Sequence, residues 1–413
     1  MARAPTRPIP SGCSYLPPMT PEHETATVAR LMAAFAQRTG LSPAAENPQR
    51  YLWTDAFAVC NFLELSKRTG DQEYRRCATE LIHQVHRVLG RFRRDEGRTG
   101  WISGLDEEAG RFHPTSGGLR IGKPLKERGA DEAIDEQLEW DRDGQYFHYL
   151  TKWMHALCQA AFVMHNHEYA KWADDLAFIA AKRFMRRSGT GKPIGIYWKM
   201  STDLSRPLVP AMGLHDALDG FVTLYEVQHA IVKVSDDAET HGFGEAGKAL
   251  FALCEHGQWA TEDPLGIGGL LFDASRLCQL VGQKNGPELR LLEDVMQGSH
   301  DGLMIMLKTG YLKRPAEHRL AFRELGLAIG LRAVSIIARA FQNERNDSLP
   351  RLIDLLLPYE RLSDEIIDLW LPHAEYPDEG WRAHQDINEA MLATAIAPST
   401  FLSVGERISI QVS

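Results

Sequence analysis

The sequence predicts an all-α protein in which an inner ring of helices is sheathed by an outer ring. Three observations carry this. Helical periodicity runs through almost the whole chain, and period-two strands are scarce, "GIYWKM" at 195–200 being the best short exception. The helical segments fall into six pairs, separated by loops bearing Gly and Pro. Within a pair the first member is small, apolar and nearly uncharged, as in "GIGGLLFDASRLCQLVG" and "LGLAIGLRAVSIIARAF". The second carries a charged face, as in "EYAKWADDLAFIAAKRFMRR". A helix apolar on all sides is buried on all sides, whereas an amphipathic one faces water.

The elements follow in order. A Pro-rich arm occupies about residues 1–20, where prolines oppose helix and no apolar signal-peptide core is present. "YLWTDAFAVCNFLELSKRTG" and "DQEYRRCATELIHQVHRVLG" form the first pair, with Gly70 ending one helix and Asp71 starting the next. Gln145 to about His165 pairs with about His167 to Arg186, and Leu214 to about Val234 with Gly244 to about His256. Gly268 to about Val281 pairs with about Pro287 to Lys308, and His318 to about Phe341 with about Ser348 to Leu371. "GWRAHQDINEAMLATAIAPSTFL" opens a sixth unit, completed by the N-terminal "TPEHETATVARLMAAFAQRTG". The irregular spacing of these units excludes a short-period repeat array.

Composition narrows the function. With 413 residues, 44% hydrophobic and 24% charged, the chain can bury a large core. A net charge of −9 and a pI near 6.0 argue against nucleic acid or an anionic membrane as partner. No stretch of about eighteen apolar residues predicts a membrane span. The six cysteines, at 13, 60, 77, 158, 254 and 278, form no CxxC or CxxH pair. They read as reduced, mostly buried thiols of a cytoplasmic protein, and a cysteine zinc site is not expected. No metal and no cofactor is called for: "GGLRIGKPLKER" lacks the GxxxxGK[ST] pattern of a phosphate loop.

The inner/outer alternation, with loops rich in Trp, Tyr, Asp and His at the starts of inner helices, resembles the six-hairpin toroid, the (α/α)6 barrel shared by many carbohydrate-active enzymes. The resemblance is architectural, carries no strict motif and covers nearly the whole chain as a single barrel domain over 21–413. It implies a funnel at the inner-helix starts. It also implies a glycoside hydrolase-like enzyme acting on a small-molecule or oligosaccharide substrate. Terpene cyclases on related folds would want a DDxxD cluster, which "DRD" at 141–143 and "DD" at 174–175 do not supply.

Candidate residues cluster where a funnel would be. The first inner helix opens with Tyr51, Trp53 and Asp55 in "RYLWTDAF". Before the second runs a connector over 97–144, far longer than the usual ~2–8 residues and expected as a lid over the funnel. Its Arg120, Lys123, Lys126 and Arg128 are suited to carboxylate or phosphate groups. In "WDRDGQYFHYLTKW", Asp141 and Asp143 stand at the expected N-cap. Tyr146, Tyr149 and Trp153 recur on one face beside His148 and Lys152, too polar for a dry core. Trp198, His215 and Asp216 announce the third inner helix, and Glu379, Trp381 and His384 the sixth. Asp219, also in "LHDALDG", reads as a cap or surface acid.

Glycosyl transfer to water commonly needs two carboxyls. The resemblance places such acids at inner-helix starts, where Asp55, Asp143, Asp216 and Glu379 lie; Asp143 is assigned as acid/base, with Asp55 as its partner. Three alternatives stay open. A sugar epimerase or isomerase would use paired histidines among His148, His215 and His384. A lyase would use Tyr146 with Arg120 and Arg128. A non-catalytic toroid would leave Asp55 and Asp143 capped and paired.

Overall fold

The computed structural model describes residues 19–234, 241, 244–255, 257–281, 287–342 and 348–405. The N-terminal arm, but for Met19 and Thr20, lies outside them, as does Cys13. The helices are α1 (Pro21–Arg38), α2 (Leu52–Thr69), α3 (Gln72–Leu89), α4 (Glu107–Phe112), α5 (Glu136–Glu139), α6 (Phe147–Met164), α7 (His167–Phe184) and α8 (Asp216–Val234). There follow α9 (Gly244–Cys254), α10 (Pro264–Val281), α11 (Pro287–Lys308), α12 (Ala321–Ala340), α13 (Ser348–Leu356), α14 (Arg361–Glu375), α15 (Glu379–Ala383) and α16 (Gln385–Ile396).

Six of them close a ring. The order is α2, α6, α8, α10, α12 and α16, each packed on the next, with α16 returning to α2. The second members lie outside: α3 on α2, α7 on α6, α9 on α8, α11 on α10, α13 and α14 on α12, and α1 on α16. Burial follows the predicted alternation. Every residue of α2 from Leu52 to Ser66 is buried. On α3 the buried apolar set is Ala78, Leu81, Ile82, Val85 and Leu89, one stripe at helical spacing. Gly70 ends α2 at φ 73°, a left-handed conformation that costs glycine nothing, and the Asp71 side chain accepts from Glu73 N at 2.9 Å to start α3.

Two departures from expectation have local causes. The fifth outer helix is not continuous: α13 passes into a 3₁₀ turn at Leu357–Tyr359 before α14 begins. Pro358 has no N–H to continue an α-helical ladder. "GIYWKM" is not one strand either. Its first residues end β3 (Pro193–Ile196), which pairs with β2 (Met185–Arg187), whereas Lys199–Met200 form β4 between β1 (Gln145–Tyr146) and β5 (Pro207–Val209). All these pairings are antiparallel, with Tyr146 opposite Lys199 and Lys199 opposite Val209. Trp198 bends between the two sheets, its carbonyl accepting from Phe147 N at 3.2 Å, which fixes it at the start of α6.

The inner ring is tightest between α10 and α12. A Cβ on Gly268 would lie 2.1 Å from the Gly326 carbonyl oxygen, and one on Gly330 would lie 2.3 Å from that of Gly268. Only glycine permits this approach, and the packing gained offsets the ~1 kcal/mol helix-propensity cost of each.

After α16, residues 397–405 cross the ends of the inner helices. Thr400 donates through N (2.9 Å) and Oγ1 (2.6 Å) to Glu64 Oε2, and Gln159 Nε2 donates to Ser403 O at 2.7 Å. The Phe401 ring stacks on both Phe57 and Phe272, 4.6 Å from each. The barrel is thereby plugged at the C-terminal ends of its inner helices. The five cysteines among the described residues are free, and no helix there is long and apolar enough to cross a membrane.

Candidate active site

At the other end, the N-termini of the inner helices surround a cavity of about 210 Å³. Its rim comes from helix starts: Trp53 on α2, His148 on α6, Asp216 on α8, Leu265 and Gly266 on α10. Trp198 and residues 213–215 form one wall, Lys152, Asp219 and Asp273 lie deeper, and Phe57, Phe272 and Phe401 make the floor. The volume is below the ~300 Å³ at which pockets for drug-sized ligands begin, so one small polar ring is a fitting occupant.

Two acids on successive turns of α8 are pushed in opposite directions. Asp216 is buried, and its carboxylate accepts only one described hydrogen bond, from Gly213 N at 2.8 Å. Burial, with the neighbouring Asp219 charge, raises its pKa to about 7. Burial would raise Asp219 too, but the Lys152 ammonium at 2.8 Å and the Arg276 guanidinium at 3.3 Å outweigh it. With Thr151 Oγ1 donating at 2.5 Å, they hold Asp219 ionised, well below the usual carboxylate range.

The charges continue down the barrel axis. Arg276, fully buried, also bonds Asp273 at 3.0 Å and Glu226 at 2.6 Å, and His155 Nδ1 lies 2.8 Å from Glu226. His155 Nε2 reaches the Phe401 carbonyl at 2.9 Å. Along this ladder stand four carboxyls, Asp216, Asp219, Asp273 and Glu226, with Lys152, Arg276 and the His155 ring among them. Asp273 is the other acid that burial pushes up. Asp216 and Asp273, the two raised acids, both line the cavity.

Three buried polar atoms in the lining have no hydrogen-bond partner in the protein: Trp53 Nε1, His148 Nδ1 and His215 Nε2. Burial lowers His148 to about 3 and His215 to about 4, so both rings are neutral at physiological pH. Such orphaned groups around a cavity are where a polyhydroxylated ligand can bond. His148 also stacks parallel to Trp198, centroids 5.8 Å apart at 10°.

Of the residues expected from sequence, the structure brings Trp53, His148, Trp198, His215 and Asp216 to this cavity. Tyr146 and Tyr149 pack behind them, against Trp198 and Trp53, and the Tyr149 hydroxyl bonds that of Tyr51 at 2.6 Å. Trp153 turns away, donating to His86 on α3 at 3.2 Å.

Asp143 and Asp55 are not brought together there. Asp143 is fully buried among Arg120 Nη1 (2.5 Å), Arg93 Nη1 (3.5 Å) and the amides of Gly122 and Gly144. Arg120 is occupied by the same contacts and by the Arg91 and Val88 carbonyls. Asp55 accepts from Tyr51 N at 3.0 Å and pairs with Arg50 at 3.4 Å, and burial raises it to about 6. Both acids thus lie capped and paired. Lys123 sits over the Tyr51 ring, Asp141 and Glu379 are exposed, Trp381 packs on Trp370, and His384 is exposed beside Phe322.

The connector is largely internally paired. Arg128 bonds Glu139 at 3.2 Å, as does Lys199 at 2.9 Å. Instead of the main cavity, its Ile134, Glu136, Glu139 and Trp140 line a second one beyond Trp198.

Sequence reasoning took Lys152 only as a polar neighbour of His148, read Asp219 as a cap or surface acid, and did not single out Asp273 and Arg276. A signal existed for the last two, the only charged residues in "GIGGLLFDASRLCQLVG". Charges in a helix buried on every side must face one another or a cavity. Among the described residues, no group of three or more His, Cys, Asp or Glu is placed to hold a metal ion.

No protein-family model matches the chain, and no curated protein matches it. Among solved structures, a family 76 glycoside hydrolase from a bovine Bacteroides thetaiotaomicron strain aligns with a TM-score of 0.52 at 10% identity. The match covers 92% of this chain and 77% of that one. The fold is the (α/α)6 toroid. A cellobiose 2-epimerase from Spirochaeta thermophila aligns over 92% of this chain and 99% of its own, with 12% identity and a TM-score of 0.47. A D-mannose isomerase covers 83% and 87%, with 12% identity and a TM-score of 0.45.

Proposed function

We propose that the protein is a carbohydrate-active enzyme that cleaves a glycosidic bond in the toroid cavity, with Asp216 as the proton donor. One observation carries this reading: of two buried carboxyls a turn apart on α8, Asp219 is paired with Lys152 (2.8 Å) and Arg276 (3.3 Å) while Asp216 has only the Gly213 amide, which pushes Asp216 up to about 7 and Asp219 well down. Acid and base roles are divided in this way wherever one fold runs both at neutral pH. Asp216 gives its proton to the leaving oxygen as the C1–O bond breaks, and water adds to C1 of the oxocarbenium-like centre, its proton passing to the Asp216 carboxylate, with Asp219 ionised beside it. Lys152 and Thr151 orient Asp219. Trp53, His148 and His215 bond ring hydroxyls, and Trp198 and Phe272 take the apolar face of the sugar. That a glycoside hydrolase shares the fold supports the reading by analogy.

A second reading has one specific observation in its favour. His148 and His215 line the same cavity, both held neutral and each with an open ring nitrogen. A neutral imidazole can take a proton from carbon beside a carbonyl, as an epimerase or isomerase requires.

The test is a screen of purified protein and Asp216→Asn against oligosaccharides, uronides and free sugars, followed by NMR of anomeric and C2 protons. Release of a free sugar, lost in the folded variant, is the expected result. Epimer formation that survives the variant moves the chemistry to the histidines, and no turnover or thermal shift with any sugar refutes both readings.

A further inference from the structure

His155 stands on α6 below the cavity, fully buried and outside its described lining. Its two ring nitrogens face two acceptors. Nε2 lies 2.9 Å from the Phe401 carbonyl oxygen, on the segment that plugs the barrel. Nδ1 lies 2.8 and 3.0 Å from the two Glu226 carboxylate oxygens. A carbonyl only accepts, so Nε2 carries a hydrogen. Burial would raise Glu226, but the His155 and Arg276 charges outweigh it and hold its pKa at about 2, so Nδ1 donates as well. The ring is then an imidazolium, a third cation beside Lys152 and Arg276.

Arg276 has no donor to spare. Nε and Nη2 donate to Glu226 at 3.0 and 2.6 Å, and Nη2 also to Thr223 Oγ1 at 2.8 Å. Nη1 donates to Asp273 at 3.0 Å and to Asp219 at 3.3 Å. These bonds use every N–H of the guanidinium. The shortest goes to Glu226 and the longest to Asp219, so the two ends of the ladder compete for one cation. His155, with the Gln159 amide donating to Glu226 Oε1 at 3.1 Å, takes up part of the Glu226 charge and leaves Nη1 to the cavity acids. The other described groups around the ring are neutral or committed. Burial pushes up the Cys60 and Cys158 thiols, Glu64 is paired with Arg68 and Thr400, and the Phe272 and Phe401 rings meet the imidazole edge-on at 5.2 and 5.1 Å.

We propose that His155 is a positioning residue through which the 397–405 segment sets the charge at the cavity acids. The Phe401 carbonyl holds the ring, the ring holds Glu226, and Arg276 stays shared with Asp273 and Asp219. The proposal rests on the reading of Asp216 and Asp219 as the working acids. It links the segment that closes the barrel to the chemistry at the barrel's other end.

Carboxyl-carbon NMR of aspartate-labelled protein tests this on wild type and His155→Gln, folding being checked by circular dichroism. Glutamine keeps a donor and removes the charge. A positive charge lost nearby raises a carboxyl, and Glu226 then draws Arg276 away from Asp273. The expected result is that the Asp273 resonance, identified by its absence from Asp273→Asn, titrates at least about half a pH unit higher in the variant. Asp216 moves the same way, and the alkaline limb of the pH–rate profile follows it. A residue that only stabilised the fold would lower the melting temperature and leave these midpoints in place, so unchanged midpoints in a folded variant overturn the proposal. Should His155→Gln not fold, nitrogen NMR of the wild-type imidazole decides. Hydrogens on both ring nitrogens at pH 7 uphold the link, and one bare nitrogen overturns it. The titrations need no substrate, so absence of turnover on every sugar refutes the glycosidic reading while shifted midpoints keep the link.

Discussion

Lys152 Nζ lies 2.8 Å from the Asp219 carboxylate, an ion pair between α6 and α8 almost wholly removed from water at the base of the cavity. Each charge is tolerable only because of the other. Lys152→Met leaves Asp219 with Arg276 alone and is expected to cost about 3–5 kcal/mol in denaturant unfolding. In the double variant Lys152→Met/Asp219→Leu much of that loss returns, because no charge is left uncompensated. Equal losses in the single and double variants would show that the pair is not the source of the effect.

Asp216 makes the opposite prediction for stability. Its folded pKa of about 7 stands above the unfolded value, ~3.9 for a free Asp, so between those limits the folded state holds a proton that the unfolded state has lost. Its contribution therefore falls as pH rises from about 4 to about 7 and is flat beyond. Asp216→Asn removes the burden of a buried charge. The variant is expected to gain thermal stability over wild type at pH 8 and to show a smaller difference at pH 5. A uniform shift at both would mean that Asp216 ionises normally.

Activity follows the same group. A proton donor near 7 predicts turnover that declines as pH rises through about 7 and that Asp216→Asn lowers by roughly 10²–10⁴. The variant's residual rate should lose that alkaline limb, which a pH–rate profile reads directly.

Asp143 is expected to behave as a structural group. Asp143→Asn leaves Arg120 and Arg93 without their shared carboxylate in a buried site and should cost several kcal/mol, on the order of 3–5. Per folded molecule, turnover should be unchanged, as active-site titration against folded fraction would show.

The floor of the cavity is a packing prediction. Phe401→Ala empties the space between Phe57 and Phe272 and should cost about 3–5 kcal/mol. Thermal unfolding of the variant measures it, and a loss below about 1 kcal/mol would mean that the plug contributes little to the barrel.

The ring was legible in sequence because its two layers differ in kind: "LGLAIGLRAVSIIARAF" can only be buried, and "EYAKWADDLAFIAAKRFMRR" cannot be. The gathering of Trp53, His148, Trp198, His215 and Asp216 around one cavity at the inner-helix starts was legible too. Which acids line the cavity was not. Asp143, Asp55 and Asp216 occupy similar positions relative to a helix start, and what separates them is the presence of arginine. Arg120 and Arg93 reach Asp143 from 23 and 50 residues away, whereas no guanidinium bonds Asp216 among the described residues. The Asp143 pairings leave no trace in local spacing, whereas the Arg50 partner of Asp55 stands in the same short stretch, "RYLWTD". Asp219 was read as a cap because its partners, Lys152 and Arg276, come from two other helices.

The central claim is that the cavity holds one carboxyl protonated beside another kept ionised, and carboxyl carbon NMR tests it most directly. Protein labelled at aspartate carboxyl carbons, titrated from pH 3 to 9, should show one resonance absent from Asp216→Asn that moves with a midpoint near 7. The resonance absent from Asp219→Asn should not move in that range. An Asp216 midpoint below about 5 would contradict the account, leaving α8 with two ordinary ionised acids and no proton to give.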